Sequence, residues 1–219
     1  MIQAGRVRVG DRVVRDPTWR VDLEIDPIRI DDAPQERAEP QYWLLYKPAG
    51  YVTTRRDPQG RPTVYDLLPR DLPFMEPVGR LDLQSSGLLL FSNDTQLGAR
   101  LTDPRSHVPK VYEVHLDAPI GTAEARKLAR GVAIQGQTTR PATVELRGGN
   151  PSHDVSVTLV EGRNRQVRRM FESIGRRVTS LCRVAIGPLR IEGLAEGKAR
   201  ALRTSEVRAL KGIAATHAG

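Results

Sequence analysis

The distribution of apolar and polar residues predicts a sheet of several strands in the central part of the chain. The segment 42–47 (YWLLYK) is strongly apolar and is stopped by the Lys-Pro-Ala-Gly sequence that ends it. Leu88–Phe91 contains no polar residue, a pattern typical of a strand that is buried on both faces. The segment 110–116 (KVYEVHL) alternates with a period of two, and strand patterns resume in 141–148 (PATVELRG) and 154–162 (DVSVTLVEG). The gaps between these segments are of hairpin size, which favours a largely antiparallel arrangement.

Three segments have the spacing of short helices. Thr122–Gly131 (TAEARKLARG) combines good helix formers with a terminal glycine, and residues 204–212 (TSEVRALKG) begin with two candidate N-cap residues, Thr204 and Ser205. Residues 165–174 (RQVRRMFESI) place apolar side chains on one helical face. A few helices beside many strands predict the α+β class.

In the predicted helix at 165–174, the helical geometry indicates different environments for the three arginines. At about 100° per residue, Arg165 and Arg169 point away from the apolar stripe, whereas Arg168 lies on its flank. We therefore expect Arg168 to be half-buried and the other two to face solvent.

The N-terminal region has a different pattern from the rest of the chain. Residues 1–30 alternate apolar and basic residues around turn signals at Gly10 and Asp16, as in a small β unit. Residues 31–40 (DDAPQERAEP) are charged and contain two prolines, which is typical of a linker. This predicts a small unit at 1–38 and a larger one at 39–219.

Composition limits the classes of partner and cofactor. The 34 Lys and Arg residues against 26 Asp and Glu give a net charge of +8, which favours a polyanion such as nucleic acid. The single cysteine excludes a disulfide within the chain and a cysteine metal cluster, and the four histidines lack ligand spacing, so no metal is predicted. No segment is apolar for long enough to span a bilayer and the N-terminus lacks a secretion signal, so the expected location is the cytoplasm.

Asp82 is the carboxylate whose sequence context suggests a catalytic role. It lies in the segment 79–94 (GRLDLQSSGLLLFSND), behind an arginine and just before the predicted buried strand. A loop carboxylate held ionised by an arginine can act as a nucleophile or a base, although a turn aspartate has the same local sequence. The basic segment 161–169 (EGRNRQVRR) suits phosphate contacts or a solvated helix face, and Tyr112 on a strand is by default a packing aromatic.

Taken together, these segments resemble the RsuA/RluB/RluE/RluF family of ribosomal-RNA pseudouridine synthases, and the RluB-like large-subunit branch most closely. The resemblance rests on ordered blocks: YKPAG with VTT (46–54), GRPTVYDLLP (60–69), GRLDLQSSGLLLFSND (79–94), KVYEV (110–114), EGRNRQVRRMFESIG (161–175) and VTSLCRVAIGPLRIEGL (178–194). The Asn164-Arg165 pair resembles the corresponding residues of the large-subunit enzymes more than those of the small-subunit branch. The resemblance implies the pseudouridine synthase fold, with a mixed, largely antiparallel central sheet flanked by a few helices.

The resemblance also implies an activity and a set of site residues. The activity is cofactor-free isomerisation of uridine to pseudouridine in ribosomal RNA, more specifically the 23S type, with base flipping and with Asp82 as nucleophile or base. The catalytic set it implies is Asp82, Tyr112 and Arg168, with Arg168 pairing to Asp82 and Tyr112 stacking on the base. The implied substrate and RNA contacts are Arg80, Lys47, Leu181, Arg183, Arg165 and Arg169.

One departure from the family pattern concerns the N-terminus. Members usually begin with a complete S-four-type RNA-binding domain, whereas residues 2–22 resemble only its second half. We therefore expect a truncated remnant in residues 1–38. The expected partner is ribosomal RNA or a pre-ribosomal particle, without a membrane, and the expected state is a monomer. The alternative from another class is a non-catalytic RNA-binding or ribosome-assembly factor with the same fold.

Overall fold

The strands before residue 40 have two or three residues each, and the strands of five or more residues all lie after it. The computed structural model describes residues 1–22, 25–34 and 38–216, with the side chains of 214–216 excepted. The strands are β1 (Val7–Val9), β2 (Arg12–Val14), β3 (Ile28–Ile30), β4 (Ala33–Pro34), β5 (Tyr42–Lys47), β6 (Glu76–Pro77), β7 (Ser86–Ser92), β8 (Lys110–Ile120), β9 (Ala133–Ile134), β10 (Gln137–Thr138), β11 (Thr143–Arg147), β12 (Ser152–Leu159), β13 (Val178–Ile186), β14 (Leu189–Arg190) and β15 (Ala199–Ala201). The helices are α1 (Thr95–Thr102), α2 (Thr122–Arg130), α3 (Gln166–Glu172) and α4 (Thr204–Thr216), with 3-10 turns at Val64–Leu67 and Pro104–Ser106.

The chain divides into two compact units, Met1–Glu39 and Pro40–Gly219. In the first, β1 to β4 form a four-stranded sheet in the order β2-β1-β3-β4. The predicted turn at Gly10 joins β1 to β2, where Val9 pairs with Arg12. The predicted linker is partly wrong, because Ala33–Pro34 pairs with β3. Residues 35–37 of that linker lie outside the described residues.

The second unit is built on a nine-stranded sheet in the order β11-β12-β8-β13-β7-β5-β15, with β14 added to β13 and β6 to β7. The contact between β7 and β13 is parallel, and the other pairs of this sheet are antiparallel. The predicted α+β class and mixed, largely antiparallel sheet are therefore confirmed.

Strand β7 is buried on both faces, as the unbroken apolar run predicts. Leu88 and Leu90 pack in a core with α1 and α4, whereas Leu89 and Phe91 pack in a second core on the opposite face, with Met75. The half of the sheet around β8, β12 and β13 differs, because one face packs on α2 and α3 while the other carries exposed polar residues. This one-sided burial explains the period-two alternation of β8.

Gly87 allows β7 and β13 to meet. Its φ of +111° is in the region that favours glycine, and a Cβ there would overlap the backbone of Arg183. The close approach brings the start of β7, directly after the Asp82 loop, against the middle of β13.

The helices show what the sequence patterns predicted and what they missed. Helices α2 and α3 are confirmed, and the N-cap of α2 is Gly121, the residue before the predicted start at Thr122. Helix α1 was missed, and α4 continues to Thr216, beyond the predicted end at 212; residues 217–219 lie outside the described residues. No helix in the described part of the chain is long and apolar enough to cross a membrane.

Candidate active site

A cleft of about 340 Å³ lies in the second unit between the Asp82 loop, β8, β13 and the segment that leads into α3. The predicted site residues that line it are Arg80, Asp82, Tyr112, Arg165, Leu181 and Arg183. Lys47 and Arg168 are packed behind the Asp82 loop. Arg169 contacts Asn164, which lies in the segment before α3. The structure thus brings segments from four distant parts of the sequence to one cavity.

The loop that carries Asp82 is held along its whole backbone. Each carbonyl from Arg80 to Ser85 accepts a hydrogen bond. The carbonyls of Arg80, Leu81 and Asp82 accept from Arg183 Nη1 at 3.4 Å, Thr53 Oγ1 at 2.8 Å and Ser85 N at 3.0 Å, respectively. Those of Leu83, Gln84 and Ser85 accept from Gly50 N at 2.7 Å, Arg168 Nη2 at 2.9 Å and Lys47 Nζ at 2.7 Å, respectively. Because no carbonyl in this run is left without a donor, the loop has one well-determined backbone conformation. The position of the Asp82 side chain is therefore fixed by its neighbours.

Three of those donors are buried cations, which we name the loop-holding cations: Lys47, Arg168 and Arg183, with 0%, 6% and 3% exposed. Arg168 also donates to the carbonyl of Val178 at 2.9 Å, and Arg183 Nε donates to that of Leu88 at 2.8 Å. Lys47 makes its second bond to the carbonyl of Pro48 at 2.9 Å. Each of these side chains therefore ties the Asp82 loop to another segment.

The predicted environment of Arg168 needs two corrections. It is almost fully buried, not half-buried, because the strand residues around Val178 and the loop around Gln84 cover it. Within the described residues, its guanidinium makes no ion pair with Asp82 and holds the carbonyl of Gln84 instead. Burial and the charge of Arg165 lower the pKa of Arg168, and the Asp82 carboxylate opposes this shift. The two groups therefore interact through space without a direct hydrogen bond.

The position of Lys47 does not support the predicted contact with RNA. Its ammonium group is completely buried and is bonded to two carbonyls, so no part of it is accessible to a phosphate. Burial lowers the pKa of Lys47 to about 8, with Asp82 opposing the shift and Arg183 adding to it. We assign Lys47 to holding the loop.

Two carboxylates line the cleft, and they differ in their partners. Glu161 accepts hydrogen bonds from Gln166 Nε2 at 2.6 Å and from the backbone N–H of Arg140 at 3.0 Å, and it forms an ion pair with Arg163. Asp82, by contrast, has no side-chain hydrogen bond or ion pair among the described residues, and it is only partly buried. Asp82 is therefore the carboxylate in the cleft that is free to meet a substrate.

Tyr112 and Leu181 supply an apolar surface in the cleft. Tyr112 on β8 pairs with Arg183 on β13, and Leu181 pairs with Val114, so alternation places the two side chains on the same face of the sheet. Both also pack against the core beneath α3. An aromatic ring and a leucine on one wall suit a flat heterocycle.

The exposed arginines of the cleft form a separate group. Arg80 and Arg165 are exposed and line the cleft, whereas Arg169 is partly buried and donates to Asn164 Oδ1 at 3.0 Å. Arg165 directly precedes α3 and has a φ of +52°, which is uncommon for a residue with a side chain. We name Arg80 and Arg165 the rim arginines.

The sequence interpretation missed several lining residues. Ser85, Lys110 and Glu161 were not selected, although Ser85 lies in the Asp82 motif and Glu161 begins the basic segment before α3. In the sequence, each of these three residues lies within four positions of a predicted site residue, and this closeness could have indicated them. Lys110 donates to the carbonyl of Val108 at 3.1 Å, and burial lowers its pKa.

Comparisons with known proteins agree on one family. The sequence model described as RNA pseudouridylate synthase matches residues 41–173. A Bacillus subtilis protein named ribosomal large subunit pseudouridine synthase B is 37% identical over 217 residues, which cover 98% of this chain and 88% of that protein. The protein of the same name from Escherichia coli K12 is 37% identical over 208 residues, covering 90% of this chain and 70% of that one. A crystal structure described as a pseudouridylate synthase has a TM-score of 0.75 and 33% identity, covering 95% of this chain and 90% of that one.

Proposed function

Because the chain belongs to the RNA pseudouridylate synthase family, whose members isomerise uridine to pseudouridine, we propose that it modifies a specific uridine of large-subunit ribosomal RNA. The names of its relatives support the large-subunit rRNA. The observation that carries the catalytic part of the proposal is Asp82, an unpaired carboxylate in a cleft, on a loop in which every carbonyl from Arg80 to Ser85 accepts a hydrogen bond.

In the proposed reaction Asp82 acts on the target nucleoside directly. The carboxylate either attacks C1′ of the ribose or removes a sugar proton, and in both cases the C1′–N1 bond breaks with its electron pair leaving on the uracil. The uracil then turns within the cleft and forms a new bond from C5 to C1′. In the first route this bond displaces the Asp82 carboxylate from C1′, and in the second route the carboxylic acid returns the proton to the sugar. The proton on C5 then passes to solvent, which restores the double bond of the ring. No water is consumed, which fits a cleft whose second carboxylate, Glu161, is engaged by other groups.

The apolar wall receives the base. We assign Tyr112 to stacking on the flipped uracil and Leu181, on the same wall, to apolar contact with it. A base in structured RNA reaches such a pocket only by leaving its stack, and Arg80 at the rim is placed to occupy or neutralise the gap.

Arg168 acts on Asp82 from behind. Its buried positive charge interacts through space with the Asp82 carboxylate, and through the carbonyl of Gln84 it holds the loop in place. It is therefore a positioning residue in this proposal.

The remaining basic residues bind the RNA backbone. Arg165 at the cleft and Arg169 beside it suit phosphate contacts, because both lie near the surface next to α3. We propose that the unit 1–39 contributes little RNA affinity, and we place the protein in the cytoplasm as a monomer acting on ribosomal RNA or a pre-ribosomal particle.

The test is a pseudouridine map of ribosomal RNA from cells that lack this protein, complemented with the wild type or with Asp82→Asn. We expect one large-subunit site to disappear, to return with the wild type and to stay absent with the variant, whose rate should fall by at least about a thousandfold. RNA affinity should stay within about threefold, because phosphate contacts do not involve Asp82. A map without any change would favour the non-catalytic RNA-binding alternative, and a variant with a tenth of the wild-type rate would remove Asp82 from the chemistry.

A further inference from the structure

Buried polar atoms without a partner are concentrated around the Asp82 loop. Within the part of the chain that the structure describes, the buried side-chain N and O atoms that lack a hydrogen bond are Ser85 Oγ, Arg168 Nε and Arg183 Nη2. Ser85, which is 2% exposed, and Arg183 also line the cleft. Native structures contain few such atoms because each costs free energy. Two of them in one cleft indicate a ligand that supplies the missing partner.

We propose that Ser85 Oγ and Arg183 Nη2 donate hydrogen bonds to a carbonyl oxygen of the target uracil. This inference rests on the proposed function, and it adds Ser85 as a catalytic residue that contacts the reacting base. It also gives Arg183, one of the loop-holding cations, a contact with the base.

The chemistry of the two groups selects the acceptor. A guanidinium N–H can only donate, so its partner must be an oxygen with a free lone pair. A phosphate also accepts, but the rim arginines, Arg80 and Arg165, are exposed where a backbone passes. Ser85 and Arg183 are more than nine-tenths buried, which suits a group that enters the cleft fully. The carbonyl oxygens of a flipped uracil meet both conditions.

The backbone of Ser85 and the guanidinium of Arg183 are held in place before any substrate arrives. Ser85 donates its backbone N–H to the carbonyl of Asp82 at 3.0 Å, and its own carbonyl accepts from Lys47. Arg183 has Nε bonded to Leu88 and Nη1 to Arg80, which leaves Nη2 as its unbonded nitrogen. Donors fixed in this way lose little freedom when the substrate binds.

The two donors become more useful as the reaction proceeds. When the C1′–N1 bond breaks, the electron pair that leaves with the uracil spreads onto its carbonyl oxygens. A fixed hydroxyl and guanidinium beside one of these oxygens stabilise the developing charge more than they stabilise the neutral base. Their effect should therefore fall on the rate of the chemical step, with little effect on RNA affinity.

Ser85→Ala tests the proposal without the complication that Arg183 presents, since Arg183 also holds the carbonyl of Leu88. The probe is a large-subunit rRNA transcript labelled with tritium at C5 of uridine, and the readouts are tritium release under single turnover, the Kd of the RNA and the Tm. We expect the rate constant to fall about a hundredfold. The Kd should stay within about twofold and the Tm should not fall, because the hydroxyl that is removed has no partner in the protein.

Ser92→Ala is the matched control. Ser92 is also buried on this segment, but its Oγ donates to the carbonyl of Gln41 at 2.8 Å and accepts from Asp94 N at 2.9 Å. Its replacement should lower the Tm and leave the rate constant unchanged, the reverse of the result for Ser85.

The outcomes separate this inference from the function on which it rests. A wild-type protein that releases no tritium would refute the proposed function. If the wild type is active and Ser85→Ala keeps its rate constant within about threefold, the carbonyl contact is refuted. A loss that appears wholly in Kd would also refute it, because it would place Ser85 against the RNA backbone.

Discussion

The cations around the cleft divide into a buried group behind the Asp82 loop and an exposed group at its rim, although the sequence presents the same residue types in both. Lys47, Arg168 and Arg183 direct their N–H groups at backbone carbonyls and have almost no exposed surface. The rim arginines Arg80 and Arg165 are exposed. The difference separates positive charge that shapes the site from positive charge that is available to RNA.

Energetics explains why the two groups cannot exchange roles. A buried cation loses its hydration, and carbonyl oxygens of the loop replace only part of it, so burial lowers the pKa of Lys47 and Arg168. Such a charge is retained where removal would leave several carbonyls unpaired. An exposed arginine keeps its hydration and can exchange it for a phosphate. Three changes test this division.

The largest effect is expected for Arg168→Ala compared with Arg169→Ala, the same change on the next residue of α3. Loss of Arg168 leaves the carbonyls of Gln84 and Val178 without donors, so unfolding in urea should show a loss of about 3 kcal/mol. Among the described residues the Arg169 side chain bonds to Asn164 near the surface, and its replacement should cost less than about 0.5 kcal/mol. Equal stabilities for the two variants would remove the distinction between the loop-holding arginine and its partly buried neighbour.

The second effect concerns the pH dependence of stability for wild type compared with Lys47→Met. The pKa of Lys47 is lowered to about 8 in the folded protein and is ordinary in the unfolded chain, so between these values only the unfolded chain holds the proton. Stability of the wild type relative to Lys47→Met should therefore rise with pH in this window, by about 2 kcal/mol between pH 7 and pH 10. A neutral amine still has two N–H groups for the carbonyls of Pro48 and Ser85, so the loop should remain held. A difference that is flat with pH would contradict the burial of this ammonium group.

The fold was predictable where local pattern and environment agree. Strand β7 has a continuous apolar run because its side chains enter cores on two faces, and β8 alternates because one face is exposed. Helix α1 was missed although its signals were present: Asp94 Oδ1 caps Leu97 N at 2.9 Å, and Leu97 and Leu101 are one turn apart. The polar residues Ser92, Asn93 and Asp94 directly follow the apolar run of β7 and have the composition of a turn, which conceals the N-cap role of Asp94.

The sequence was sufficient to predict which residues lie at or near the site. It was not sufficient to predict how deeply each side chain is buried or which groups it bonds. Periodicity placed Arg168 on the flank of α3, yet its depth depends on the carbonyls of Val178 and Gln84, which lie on other segments. Lys47 and Arg183 were predicted as substrate or RNA contacts because a basic residue before a proline or on a strand gives no signal of burial. The close contact of β7 with β13 at Gly87 brings Arg183 inside, and that contact joins residues about a hundred positions apart.

The smallest effect is expected for the rim, in Arg80→Gln and Arg165→Gln compared with Arg126→Gln, an exposed residue of α2 that does not line the cleft. Each rim change should raise the Kd for large-subunit rRNA by about fivefold at moderate salt and lower the slope of log K against log salt by about 1, because one phosphate contact is lost. Arg126→Gln removes the same charge, so a general effect of net charge would appear in it equally. Stability should change by less than about 0.5 kcal/mol in all three variants, since none of these side chains is buried. If the rim variants keep the wild-type salt slope while Arg183→Lys reduces it, then RNA phosphates reach the buried group and the division between the two kinds of cation fails.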